Sequence, residues 1–159
     1  MTRTIRGILF GLSFAALIGG GELAVANAVT PFERAADTPR GQLRSPYADF
    51  ASVAKEGHKI YLSHDCNGCH GGGGMAAHLT NEVWIYGADD DTLFRVIALG
   101  TGSLSPGDVF QKQGFARKGS ENVVGPMPHF GDIFKTDDEI WKIIAWLRAE
   151  NCERRPAQC

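Results

Sequence analysis

The amino-acid sequence predicts an all-α fold. Apolar residues recur every three or four positions after Asp49 and after Thr136, the spacing of one helix face, and a run of aspartates opens a further helix between them. No run alternates apolar and polar residues as a half-buried strand does, and no segment repeats. A chain of 159 residues is long enough for one domain with a modest core.

The first element stands apart from that domain. Arg3 and Arg6 precede an apolar run from Ile8 to Ile18, and "AVANA" places Ala26 and Ala28 as an A-x-A pair. This pattern predicts a secretory signal peptide over residues 1–28, cut after Ala26 or Ala28. The apolar run is shorter than the roughly 20 residues a membrane span needs, and Glu22 interrupts its continuation. No stable span is therefore expected after cleavage. Removing Arg3 and Arg6 leaves 14 basic residues and removing Glu22 leaves 17 acidic ones, a net charge of −3. With no basic block, nucleic acid is excluded as a partner. Export under a short signal predicts the bacterial periplasm, where unprotected cysteine pairs become disulfides.

Residues 29–48 carry Pro31, Pro39 and Pro46 with little periodicity, which predicts an irregular amino-terminal arm. The domain itself is expected over residues 49–150. Phe50, Val53, Gly57, Ile60 and Tyr61 share a helix face that leads into Cys66. Residues 71–90 form a loop with a glycine run. Asp89, Asp90 and Asp91 then open a second helix, because acidic side chains offset the partial positive charge of a helix start, and Gly100 stops it. Residues 101–135, rich in Gly, Pro and polar residues, show no regular element, and a loop this long is usually functional or packed on a cofactor. In "TDDEIWKIIAWLRAE", Thr136 and Glu139 form a capping box, and Ile140, Ile143, Ile144 and Leu147 form one apolar stripe. Residues 151–159 are a tail in which Cys152 and Cys159 are expected to pair as a disulfide.

Three short helices bury little apolar surface against a backbone entropy cost of about 1–2 kcal/mol per residue. Such a chain calls for a staple or a cofactor in its core. "HDCNGCHGGGG" offers the means. Cys66-x-x-Cys69 could be a redox dithiol, but no α/β pattern precedes it. It could clamp zinc, but the other two cysteines are spaced too widely. A plain 66–69 disulfide would leave His70 without a role. C-x-x-C-H is the attachment signature of c-type haem: two thiols bond the two vinyl groups on one porphyrin edge, and His70 ligates the iron. One covalently attached haem c is therefore expected. A second axial ligand should lie far downstream, and Met127, held between Pro126 and Pro128 in "GPMPHF", fits that place. His78 in the haem loop is the rival ligand.

From Asp49 to Glu150 the chain resembles a class I cytochrome c. "GHKIY", "CNGCH", "GPMPHF" and "DEIWKIIAWLRA" carry the resemblance. It implies helices and long loops wrapped around one haem. It also implies that Gly57 lets the terminal helices cross closely and that Tyr61 packs on Trp146 beside Ile143. The family usually places a proline where Ala77 stands, and that residue's carbonyl accepts the haem histidine's N–H. The segments "NEVWIYGADDDTLFRVIALGT" and "RKGSENVVGPMPHF" are similar to those of periplasmic cytochromes of methanol metabolism, such as cytochrome c-L. That similarity implies electrons accepted from a PQQ-dependent quinoprotein alcohol dehydrogenase and passed to a further cytochrome or oxidase. The function expected is a soluble one-electron carrier rather than an enzyme. The alternatives are a haem enzyme or gas sensor with a displaceable sixth ligand, or a carrier for a different respiratory partner.

Overall fold

The computed structural model describes residues 28–71, 75–79, 84–118 and 125–154. The expected signal peptide up to residue 27 lies outside them. Six α-helices are present among the described residues: α1 (Pro31–Asp37), α2 (Ala51–Ser63), α3 (Cys66–His70), α4 (Asp90–Leu99), α5 (Val109–Lys112) and α6 (Asp137–Arg154). They include no strand, as the sequence predicts, and no helix long and apolar enough to cross a membrane.

The helix starts follow from local chemistry. At α4 the Asp89 carboxylate accepts the Thr92 N–H at 2.9 Å and the Thr92 hydroxyl at 2.8 Å, and Gly100 ends the helix at φ +69°. At α6 the Glu139 carboxylate reaches back to the N–H groups of Lys135 at 2.7 Å and Thr136 at 3.1 Å. These contacts satisfy donors that the first helical turn leaves unpaired.

Two expectations are corrected. The arm is not irregular throughout, because α1 lies within it. Thr30 caps this helix by accepting the Glu33 N–H, and the Glu33 carboxylate accepts the Thr30 N–H in return, with Pro31 at the first helical position. The long segment after Gly100 is not featureless either. It holds two short 3-10 turns, Gly102–Leu104 and Pro106–Asp108, and then α5. Phe110 of α5 is buried, stacks on Phe115 and meets Tyr86 edge-on.

The amino- and carboxy-terminal helices of the domain, α2 and α6, cross at Gly57. A Cβ built there would lie 1.9 Å from the Lys142 carbonyl oxygen, so only glycine permits this approach. Tyr61 then packs on Trp146 at 4.5 Å between ring centroids, as the resemblance implies. The core runs from this seam through Ile140, Ile143, Ile144 and Leu147 to Phe94 and Leu99 of α4.

One buried cation joins the arm to the domain. Arg95 on α4 has no solvent exposure. It donates to both carboxylate oxygens of Asp91 at 2.8 and 3.0 Å, to the carbonyls of Ala35, Thr38 and Pro39, and to the Gln113 side chain. Asp91 also accepts the Leu43 N–H at 3.0 Å. Burial pushes the Asp91 carboxyl up, but Arg95 and the Gly41 and Leu43 N–H groups outweigh it and hold it below the usual carboxylate range.

Candidate functional site

α2 ends at His64, and Asp65 turns the chain through the left-handed region at φ +55° before α3 begins. Aspartate tolerates this conformation better than most residues. The turn separates the C-x-x-C-H helix from α2. Cys66 and Cys69, three apart on one helical turn, project from the same side. Both are free cysteines; Cys66 is half-buried and Cys69 is exposed. Burial pushes the Cys66 thiol up to about 11.

His70 closes α3. Its Nδ1 lies 2.8 Å from the Ala77 carbonyl oxygen. A carbonyl can only accept, so Nδ1 carries the proton and Nε2 keeps its lone pair for a metal. Burial lowers the His70 pKa, and the Ala77 bond opposes that only in part, so the neutral ring is favoured. Replacing the usual proline with Ala77 leaves the carbonyl in place.

Cys66, Cys69, His70 and Met127 all line one cavity of about 610 Å³. The wall is mostly apolar, with Leu79, Trp84, Leu93, Ile97, Phe130, Ile143 and Leu147 contributing from four parts of the chain. Tyr61 stands in the same wall, its hydroxyl pushed up to about 12 by burial. Two thiols from one helical turn, an oriented neutral imidazole and a thioether facing one apolar cavity form the donor set that covalent haem requires. The residues present fit that group.

His78 lines the cavity too, so the fold brings the rival ligand to the same place, although its side chain is exposed. Met75 is 53% exposed, with its sulfur 3.5 Å from that of Cys69. His58 stacks on Trp146 on the outer side of the α2–α6 seam, and His129 meets Phe32 edge-on. Cys152 sits in the last turn of α6, and Cys159 lies outside the described residues. Thr101 is a site residue that motif reading misses: it is 4% exposed, lines the cavity and hydrogen-bonds the Met127 backbone. Its only sequence signal is its place directly after the glycine that stops α4.

Comparison with known proteins places the motifs in context. The family described as "Cytochrome C oxidase, cbb3-type, subunit III" matches residues 52–147, more than half of the chain. The cbb3-type cytochrome c oxidase subunit FixP of Bradyrhizobium diazoefficiens is 36% identical over 59 residues, covering 33% of this chain. The chain spans 20% of the length of that relative. No solved structure matches. Neither match mentions an alcohol dehydrogenase or methanol metabolism, so the narrower resemblance gains no support from them.

Proposed function

The chain belongs to the family of cbb3-type cytochrome c oxidase subunit III, and from that premise we propose a periplasmic one-electron carrier with His70 and Met127 as axial ligands. The family carries covalent haem c, and electron transfer is its chemistry. The observation that supports this assignment of ligands is the convergence of Cys66, Cys69, His70 and Met127 on one apolar cavity.

Bound haem supplies an iron that exchanges one electron between its ferric and ferrous states. The chain does the rest. Cys66 and Cys69 would hold the haem by thioether bonds. His70 presents Nε2, oriented by its bond to Ala77. Met127 supplies a neutral thioether, which raises the potential relative to nitrogen or oxygen donors. Were His70 and Met127 both to hold the iron, no position would be left for a substrate, which favours the carrier over the enzyme or sensor. The apolar wall would limit water at the iron and so the solvent reorganisation that accompanies each electron transferred.

For the partner, the family and the FixP match favour a terminal oxidase of the cbb3 type as the electron acceptor. A quinoprotein alcohol dehydrogenase as donor rests on the residue pattern of 81–101 and 117–130 alone, part of which lies outside the described residues. Export through cleavage of residues 1–28 accompanies this reading.

The test is Met127→Ala. The variant is expected to keep covalent haem, lose the weak long-wavelength ferric band of a methionine–iron bond, drop in potential and gain carbon monoxide binding. A variant that keeps the wild-type spectrum would remove Met127 as the ligand and turn attention to His78. Reduction by a substrate-reduced alcohol dehydrogenase and oxidation by a cbb3-type oxidase, measured side by side in stopped flow, separate the two partner readings.

A further inference from the structure

Met127 is held from behind by the end of α4. The Thr101 N–H donates to the Met127 carbonyl at 2.8 Å, and the Met127 N–H donates to Thr101 Oγ1 at 2.8 Å. Two further backbone bonds continue the seam, Phe130 N–H to the Ile97 carbonyl and Gly131 N–H to the Ala98 carbonyl, each at 3.0 Å. Gly100 allows this approach: at φ +69°, a Cβ there would lie 2.7 Å from the Met127 oxygen and 2.6 Å from the His129 nitrogen. In this seam only the bond to Thr101 Oγ1 depends on a side chain.

We propose that Thr101 is a positioning residue for the sixth ligand, fixing the Met127 backbone so that the thioether stays on the iron. This rests on the reading of Met127 as that ligand. A thioether is a weak, neutral donor. Its occupancy of the iron therefore depends on how closely the chain confines it. Gripping both the N–H and the carbonyl of one residue fixes its Cα and removes the hinge about which the loop would swing. Thr101 is buried, so its hydroxyl is itself held in place to accept the Met127 N–H. Valine keeps the shape of threonine but accepts nothing, whereas serine keeps the hydroxyl.

The test is an imidazole titration of ferric holoprotein, followed through loss of the methionine–iron band. Imidazole binds only when the thioether is off, so its apparent affinity reports the methionine-off population. Losing this part-buried hydrogen-bond acceptor should raise that population about tenfold. Thr101→Val and Thr101→Ala are expected to bind imidazole about tenfold more tightly and to show a lower potential, with Thr101→Ser close to wild type. Imidazole affinity and potential unchanged in the valine and alanine variants would overturn the proposal, as would a serine variant that behaves like alanine. If Thr101→Val does not accumulate as holoprotein, the alanine–serine pair gives the same decision. A wild-type protein without the methionine–iron band would overturn the ligand assignment itself, a different failure from a wild type with the band and an insensitive Thr101.

Discussion

Replacing Gly57 with alanine sets two effects of opposite sign against each other. In an ordinary helix interior the change stabilises by about 1 kcal/mol, because glycine loses more backbone entropy on folding. Here the new methyl would sit 1.9 Å from the Lys142 carbonyl oxygen and 2.5 Å from its carbon. Ordinary contact begins at 3.4 Å, so α2 and α6 must part by roughly 1.5 Å along that line. The obstructing atoms are backbone, and no rotamer change relieves them. Overpacking of this kind costs about 3 kcal/mol, the upper end of its usual range. The net expectation is a loss of about 2 kcal/mol after the helix gain is subtracted. Parting the helices also moves Tyr61, Ile143 and Leu147, all of which line the cavity proposed for haem. Guanidinium unfolding of the holoprotein, followed by circular dichroism and by haem absorbance, measures the loss. At a slope of roughly 3 kcal/mol per molar, the midpoint should fall by about 0.7 M. An unchanged or raised midpoint would refute the close crossing, because the propensity gain alone would then be acting.

Other perturbations address the arm, the tail and acid stability. Arg95→Met leaves Asp91 buried without its partner and should destabilise by about 3–5 kcal/mol in the same unfolding assay; a loss under 1 kcal/mol would show that the buried pair does not tie the arm to α4. Because the Asp91 carboxyl is held below its ordinary value, its contribution is present above about pH 4 and lost as pH falls through the lower folded value. The stability gap between wild type and Arg95→Met should therefore narrow on acidification, and a gap that widens would contradict the assigned sign. Cys152 and Cys159 are proposed to pair, so alkylation of the mature holoprotein without reductant should label neither, as read by mass spectrometry; two labelled thiols would end that proposal.

The sequence made some parts legible and hid others for physical reasons. The C-x-x-C-H run was legible because the cofactor demands fixed residue types at fixed spacing. Helix α6 was legible because it buries one face, which imposes a 3.6-residue period on its apolar residues, and α4 because three aspartates mark its start and Gly100 its end. The actual extent of α6, to Arg154, was not, because its last turns are set by contacts such as Asn151 to the Leu79 carbonyl rather than by pattern. α1 was hidden by the prolines around it, although Thr30, Pro31 and Glu33 spell a helix start; the arm's lack of periodicity outweighed that local signal. The turns and α5 after Gly100 are too short to show a period. Arg95 was missed because a charged residue in a helix pattern reads as solvent-facing, and its partners lie far away in sequence, at Ala35, Thr38 and Pro39. Ala77 could be placed as the histidine's acceptor because a backbone carbonyl does not depend on side-chain identity.

The crossing at Gly57 joins the helix just before the C-x-x-C-H motif to the last of the described helices. Ile143 and Leu147 are therefore the last part of the cavity wall to be synthesised. A chain growing from its amino terminus, or threading through a membrane in that order, presents Cys66, Cys69 and His70 long before α6 exists to cover them. Both thiols would be open to covalent chemistry during that interval, before folding half-buries Cys66. Delivery of α2 before α6 would let attachment precede closure. A circular permutant that places α6 ahead of α2 would reverse that schedule while leaving every contact of the finished fold available.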